Sequence, residues 1–269
     1  MSLRIQSNPE AMNAHRQLLG TSEKLQKSME RLSSGYRINR AADDAAGLAI
    51  SEKLRGQISG ISQAMRNTQD AVSLVQTAEG ALNEVHSMLQ RMRELAVQFK
   101  NGTLSPDDRG AIQSEVNQLK AEIDRIGTQV QFNGVDLLAA AGTITFQVGA
   151  MDGEVITVAT VSLGSAVGAS AYALTSAGST DIQEIDTAIN NVSAQRAAFG
   201  AVQNRLDHTL ANLATYHENL VASESRVRDA DMAHEMVNFT KLQILQQAGT
   251  SMLAQANQVP QSVLTLLRG

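Results

Sequence analysis

The sequence predicts a mainly α-helical protein: a long antiparallel helical bundle or coiled coil with a small central β-hairpin region, and with the N- and C-termini paired in a second coiled coil. Three observations predict this fold. Apolar residues recur at alternating steps of three and four along most of the chain. Aromatic residues make up only 3% of the 269 residues. Near the centre, a short run alternates polar and apolar residues, which is typical of strands.

The first helix is predicted from about residue 9 to residue 33. Asn8 is a good N-cap, Pro9 suits the first helical position, and Gly35 favours an end to the helix. A weak apolar stripe is expected along one face, at Ala11, His15, Leu18, Ser22, Leu25, Met29 and Leu32. Its spacing is that of helices lying side by side.

Residues 34–56 are expected to connect two helical regions. Arg37 and Arg40 precede Asp43 and Asp44, so the charge changes sign, and either aspartate is suited to cap a short following helix. The strongest periodicity then predicts a helix from about 57 to 99. Its apolar stripe comprises Ala71, Val75, Ala78, Leu82, Val85, Leu89, Met92, Ala96 and Phe99, with Ile61, Ala64 and Thr68 extending it backward.

A third helix is predicted after the Ser-Pro signal at 105–106, with Asp107 and Asp108 as capping residues. Its apolar stripe is expected at Ile112, Val116, Leu119, Ile123, Ile126 and Val130. The Asn133–Gly134 pair predicts a turn. Residues 143–148 and 154–161 read as the strands of a β-hairpin that turns at Asp152–Gly153, and 162–180 read as a surface loop.

A fourth helix is predicted from about residue 180, and a last one after the polar segment 226–231, with Pro260 expected to kink or restart it. The stripe of the fourth helix is expected at Ile182, Ile185, Ile189, Val192, Phe199, Leu206, Leu210, Leu213 and Leu220. Two domains follow from this nested order. Residues 1–43 plus 226–269 form a terminal coiled-coil domain, and 44–225 form a helical bundle with the β-hairpin region at about 139–180.

The stretch from Leu242 to Leu267 contains no charged residue, yet its six Gln make it too polar for a lipid-facing helix, so no membrane insertion is expected. The stripes on the terminal helices are thin, and isolated helices of this length are marginal in water. Because the other helices are expected to pack in their own bundle, copies of the same chain are the simplest partners to cover the terminal helices. The predicted self-assembly seam comprises Leu18, Leu25, Met29, Leu32, Leu242, Leu245, Met252, Val259, Val263 and Leu266.

The residue types that could act in catalysis or bind a metal do not form a pattern typical of an enzyme. The net charge of −5 argues against nucleic-acid binding, and the absence of Cys excludes disulfides and thiolate sites. The segment 234–238, HEMVN, begins like a zinc-protease helix, but Asn238 stands where the second histidine ligand is needed. Neither a catalytic residue, a metal site nor a cofactor is predicted.

Four segments nonetheless resemble a known family, the bacterial flagellins. They are SMERLSSGYRINRAADDAAGLAISEKLRGQI (28–58), QTAEGALNEVHSMLQRMRELAVQ (76–98), EIDRIGTQVQFNGVDLL (122–138) and FTKLQILQQAGTSMLAQANQVPQSVLTLLRG at the C-terminus. The similarity covers roughly residues 1–140 and 180–269. The short centre, 139–180, implies a form without large outer domains.

This resemblance implies a structural subunit that polymerises into the flagellar filament for motility. It also implies unfolded export by the flagellar type III apparatus and secretion into an extracellular filament, whose inner tube the termini form. The implied partners are other copies of the chain, an export chaperone at the C-terminal helices, filament cap and hook–filament junction proteins, and an innate-immune flagellin receptor. The receptor contact would fall on Arg91, Leu95 and Glu115.

Other classes of protein remain as alternatives. A hook–filament junction protein has similar ends, and the closeness of the last 30 residues to flagellins favours the filament subunit. A helical adaptor protein would be expected to carry an anchor or partner domain, and none is recognisable in this sequence.

Overall fold

The computed structural model describes residues 8–167, 174 and 181–268, and their side chains except those of 166 and 259–268. Its elements are α1 (Pro9–Ser34), α2 (Ala45–Phe99), α3 (Pro106–Gln129), β1 (Gln131–Phe132), β2 (Val135–Asp136), β3 (Gly142–Gln147), β4 (Val155–Thr160), α4 (Leu163–Val167), α5 (Asp181–Arg228) and α6 (Met232–Arg268). The mainly helical fold class is confirmed. The chain divides into two compact units, Met1–Gly56 with Leu220–Gly269, and Gln57–Asn219. The domain boundaries predicted from the sequence stay a prediction.

The first predicted helix is confirmed with its caps. The Asn8 side chain accepts a hydrogen bond from the backbone N–H of Ala11 at 3.1 Å, and Pro9 occupies the first turn. Gly35 ends α1 with φ 77°, a left-handed conformation that glycine adopts at little cost, and its N–H donates to the Arg31 carbonyl.

The prediction for residues 34–56 is wrong in its second half, because α2 already begins at Ala45 and runs unbroken to Phe99. Asp44 caps it by accepting a 2.9 Å hydrogen bond from the Gly47 N–H. Gly47 is needed here, since a Cβ at this position would lie 2.8 Å from Cδ1 of the buried Ile38. The first turns of α2 therefore follow from a cap and a close packing contact rather than from an apolar stripe.

Asp43 does not cap α2 but closes the turn before it. Its carboxylate accepts hydrogen bonds from the backbone N–H groups of Asn39 and Arg40 and lies 2.6 Å from Lys27 Nζ. The Lys27 hydrogen bond, aided by the two backbone donors, lowers the pKa of Asp43 to about 2 against the opposing effect of desolvation.

We expect Asp43 to stay ionised down to about pH 2 in the folded chain. Because its folded pKa lies below its unfolded pKa, its contribution to stability is present above the unfolded value of 3.8 and is lost as the pH falls through about 2. An NMR titration of the side-chain carboxyl carbon measures this. In Lys27→Gln the midpoint should rise toward the ordinary value, and an unchanged midpoint in that variant would contradict the assignment.

The unit Gln57–Asn219 holds the hydrophobic core. The stripe predicted on α2 is buried at every position from Ile61 to Phe99. Ile112, Val116 and Ile123 of α3 face the same core, and on α5 a residue every seven is buried: Ile185, Val192, Phe199, Leu206 and Leu213. Arg91 of α2 pairs with Glu115 of α3, and Arg93 of α2 pairs with Asp186 of α5 at 2.6 Å.

The start of α3 has a capping box. The Ser105 hydroxyl accepts from the Asp108 N–H, and the Asp108 carboxylate accepts from the Ser105 N–H, both at 3.1 Å. The Ser105 hydroxyl also donates to the Asp108 carboxylate at 2.7 Å, and this hydrogen bond first, then that from the Ser105 N–H, lowers the pKa of Asp108. The capping role predicted for the acidic pair is confirmed at Asp108, while Asp107 lies in the first turn.

Both predicted turns of the central region are confirmed. Asn133 and Gly134 have φ of 50° and 78° and join β1 to β2 in a tight antiparallel pair, as expected for an Asn-Gly turn. The strands β3 and β4 form the predicted hairpin, with Gln147 opposite Val155 next to the turn. The loop predicted for 162–180 is wrong where described, because 163–167 form α4, and Leu163, Val167 and Leu174 are buried. The rest of that range, 168–173 and 175–180, lies outside the described residues.

The last helix begins where predicted. Asp231 Oδ1 accepts from the backbone N–H groups of Ala233 and His234, which caps α6 at its start. Helix α6 then continues through Pro260 to Arg268, so a restart at Pro260 does not occur, while the alternative, a kink, stays a prediction.

Candidate assembly surface on the terminal helices

Helices α1 and α6 lie antiparallel, with Cα atoms repeatedly within 8 Å of each other. At one end the Asn8 amide donates a 2.7 Å hydrogen bond to the Ala256 carbonyl. In the middle, a Cβ added at Gly249 would lie 3.2 Å from Leu18 Cδ1. At the other end Arg31 Nη1 lies 3.8 Å from the Glu235 carboxylate.

Small residues allow this close approach. The seam between the two helices follows steps of three and four on both, and leucines alternate with smaller or polar residues. It comprises Ala11, Ala14, Leu18, Thr21, Leu25, Ser28 and Leu32 on α1 and Glu235, Phe239, Leu242, Gln246, Gly249, Leu253 and Ala256 on α6. All of these are half-buried except Ser28 and Glu235, which are buried.

The described part of the terminal helices has no core of its own. Among the described side chains of α1 and α6, no hydrophobic residue is buried. By contrast, helix α2 buries hydrophobic residues along most of its length. Burial of apolar surface is the main favourable term in folding, so the α1–α6 pair is weakly stabilised by its own contacts.

The predicted seam residues therefore fall into three groups. Leu18, Leu25, Leu32 and Leu242 lie half-buried in the seam between α1 and α6. Three others are exposed beside it: Met29 at 54%, Leu245 at 47% and Met252 at 66%. The side chains of Val259, Val263 and Leu266 lie outside the described residues.

Two open grooves run along the pair, one on each side, and Leu245 and Met252 line the first of them. The Leu245 groove, of about 660 Å³, is lined by residues that include Gln17, Thr21, Leu245, Gly249 and Met252. The Met12 groove, of about 600 Å³, is lined by residues that include Met12, Arg16, Leu19, Leu253 and Asn257. The grooves share no lining residue and use different faces of both helices.

Sequence reasoning missed several exposed apolar residues on this surface. Met12 and Leu19 are 64% and 53% exposed and border the Met12 groove. On α6, Val237 and Ile244 are also exposed. Each of these two pairs is seven residues apart, and a search for a second stripe at that spacing on each helix would have found them.

The residues that the family resemblance assigns to an immune-receptor contact lie in the unit Gln57–Asn219. Arg91 Nε donates to Glu115 Oε1 at 3.0 Å, and Nη1 donates to Glu94 at 3.2 Å. These partners, Glu115 first, raise the pKa of Arg91. Leu95 is only 2% exposed and packs in the core, whereas the side chains of Arg91 and its two acidic partners are accessible.

The described residues form neither a metal site nor a helix that could span a membrane. Within residues 8–167, 174 and 181–258, no three His, Asp or Glu side chains are grouped closely enough to hold a metal ion. His234 and Asn238, the two positions of the incomplete zinc motif, are exposed and half-buried on α6. In the same described part of the chain, no helix combines the length and hydropathy needed to cross a membrane.

A helical subunit whose terminal pair buries no hydrophobic side chain in its described part and has an apolar groove on either side belongs to the class of self-assembling structural proteins. Comparison with known proteins identifies the family. Residues 5–143 match the bacterial flagellin N-terminal helical region, and residues 182–267 match the bacterial flagellin C-terminal helical region. The chain belongs to the bacterial flagellin family.

Several relatives match over nearly their whole length. A flagellin of Halalkalibacterium halodurans is 53% identical over 98% of this chain and 99% of its own. A flagellin of Bacillus subtilis is 48% identical over 99% and 100%, and the flagellar filament 33 kDa core protein of Treponema phagedenis is 48% identical over 98% and 99%. The crystal structure of Bacillus cereus flagellin matches with 38% identity and a TM-score of 0.52, over 55% of this chain and 88% of that one.

These matches confirm the predicted function. The protein is a structural subunit that polymerises into the bacterial flagellar filament, and its family is structural rather than enzymatic. They extend across both terminal helices, which carry the two grooves.

Proposed function

We propose that the α1–α6 pair forms the contact between subunits in the flagellar filament, with neighbouring copies filling the Leu245 groove and the Met12 groove. The observation that carries this proposal is that no described hydrophobic side chain of α1 or α6 is buried within one subunit. A fully buried large apolar side chain contributes about 1.5–3 kcal/mol, so covering these residues supplies the stabilisation that a single pair lacks.

The position of the grooves favours an open polymer over a closed dimer. A two-fold dimer buries one patch against the same patch, which would leave the other groove exposed. Two different grooves on opposite sides of the pair allow each copy to contact one neighbour through each groove. Contacts of this head-to-tail kind extend indefinitely unless the rotation between copies closes a ring.

The predicted seam residues divide accordingly between two roles. Leu18, Leu25, Leu32 and Leu242 hold α1 against α6, while Met29, Leu245 and Met252 are available to other copies. Val259, Val263 and Leu266 are proposed to extend the contact toward the C-terminus. Their placement follows from the sequence spacing alone.

The same surface suits the partners that a flagellin meets before and during assembly. We infer that the chain is exported unfolded by the flagellar type III apparatus and secreted, and that an export chaperone covers the apolar residues of α6, among them Val237 and Ile244. An amphipathic helix of this kind is commonly recognised in an apolar groove. The filament cap and the hook–filament junction proteins would meet the subunit at the two ends of the polymer.

An innate-immune receptor is a further proposed partner, by resemblance to other flagellins. The adjacent exposed side chains of Arg91 and Glu115, 2.9 Å apart at their closest atoms, support this proposal. Leu95 is buried, so its proposed role is to hold this part of α2 against the core. The Arg91 guanidinium stays charged at all physiological pH values and offers several donors to a partner.

Hydrogen exchange of the intact protein tests the proposed contact. In dilute monomer, amides at about 1–40 and 226–269 should exchange fast and those at 57–130 slowly, because only the second set packs around a buried core. On polymerisation, amides of 9–34 and 232–258 should slow strongly. Uniformly slow exchange in the monomer, or unchanged exchange at these helices in filaments, would contradict the proposal.

A further inference from the structure

The sulfur atoms of this protein are concentrated on the proposed contact surface. The chain has no Cys and ten Met, so thioethers are its only sulfur groups. Five of those ten are exposed on α1 and α6: Met12, Met29, Met232, Met236 and Met252. Met92, in contrast, is fully buried in the core of the unit Gln57–Asn219.

Two of the exposed methionines occupy the grooves. Met252 lines the Leu245 groove, and Met12 lines the Met12 groove. Each therefore stands on one of the two opposite contact sides of the subunit. Methionine adapts its shape to an apolar partner surface, which suits a contact that must form repeatedly between copies.

Exposed thioethers react with peroxides. The methionine sulfur attacks one oxygen of hydrogen peroxide, the O–O bond breaks, and the sulfur is oxidised by two electrons to a sulfoxide while the peroxide is reduced and leaves as water. The product is polar and chiral where the thioether was apolar and flexible, and it disrupts apolar interfaces. Thiol-dependent methionine sulfoxide reductases reverse the reaction.

We propose that Met12 and Met252 are reversible oxidation sites that control polymerisation. Oxidation of the free subunit at either residue places a polar S=O group in one groove and blocks addition on that side. In the filament the neighbouring copies cover both sulfurs and protect them. This inference rests on the proposed function, because it requires the grooves to be contacts between copies.

The test compares intact monomer before and after treatment with hydrogen peroxide. Peptide mass spectrometry should show that Met12 and Met252 are oxidised at least about tenfold faster than Met92. Light scattering should show that the amount of polymer formed falls by a factor of similar size. Preformed filaments should keep both residues reduced under the same treatment. Normal polymerisation of protein fully oxidised at both residues would overturn the inference.

Matched variants separate these two methionines from the others. Met12→Leu combined with Met252→Leu removes both sulfur atoms while it keeps the apolar character of the two positions. Its polymerisation, measured relative to its own untreated sample, should therefore not fall after peroxide treatment. Met29→Leu combined with Met236→Leu should remain sensitive. If the first variant loses polymerisation after peroxide as the wild type does, the inference is overturned.

Two results distinguish this inference from the proposed function. Should the leucine pair fail to polymerise even untreated, a methionine sulfoxide reductase is applied to oxidised wild-type protein, and recovery supports the inference whereas continued failure overturns it. If the oxidised wild type polymerises while hydrogen exchange still shows α1 and α6 protected in filaments, only the oxidation site is overturned. Filaments with unprotected terminal helices would overturn the proposed function itself.

Discussion

Leu245→Asp is expected to abolish polymerisation of the purified subunit at concentrations where the wild type forms filaments. Leu245 lines the Leu245 groove and is 47% exposed in the single chain, so the substitution leaves the free subunit folded. In a filament the same position would be covered by a neighbouring copy, and a carboxylate without a partner in a dry interface costs several kcal/mol. Light scattering and electron microscopy measure the outcome.

The control for this variant uses the same position. Leu245→Met keeps the apolar character and nearly the same volume, so it should polymerise like the wild type. Circular dichroism should show equal helix content in both variants. Filaments of ordinary length from Leu245→Asp would remove the Leu245 groove from the contact between subunits.

Leu89→Ala is expected to destabilise the unit Gln57–Asn219 by roughly 2–5 kcal/mol. Leu89 is fully buried in the middle of α2, within the core cluster that joins α2, α3 and α5. Its truncation removes buried apolar surface and leaves a cavity that rigid helices fill only partly. Chemical denaturation of the monomer, followed by circular dichroism, measures the loss.

Glu84→Ala provides the comparison on the same helix. Glu84 is exposed, and its replacement should change the free energy of unfolding by no more than about 0.5 kcal/mol. A loss of less than about 1 kcal/mol in Leu89→Ala, with this control unchanged, would mean that Leu89 is not held in a close-packed core.

The inner helices were predictable because large side chains dominate their contacts. On α2 the predicted stripe from Ile61 to Phe99 follows one unbroken period, and each of its residues is buried. The first turns of α2, 45–56, carry no such stripe: their start depends on the Asp44 cap and on the fit of Gly47 against Ile38. Periodicity alone does not contain that information.

The residues that lie between α1 and α6 differ in part from the apolar stripes predicted on these two helices. Hydrophobicity favours Met29 over Ser28 on α1 and Leu245 over Gln246 on α6, yet the seam uses Ser28 and Gln246. At Ser28 the reason is size, since a small residue lets two backbones approach closely, whereas nothing in the structure explains why Gln246 lies in the seam rather than Leu245. Which of two adjacent stripes faces the partner helix depends on this fit, and a search for the most apolar stripe does not detect it.

The α1–α6 pair is held at both of its ends by polar contacts. The Asn8 amide binds the Ala256 carbonyl near one end, and Arg31 lies beside the buried Glu235 near the other. Sliding one helix by a heptad, about 10 Å along its axis, would preserve the apolar spacing but break both contacts together. The two contacts therefore fix the axial offset between α1 and α6. Every copy enters the polymer with the same axial length, so an error of register in one molecule is not passed on to those stacked above it.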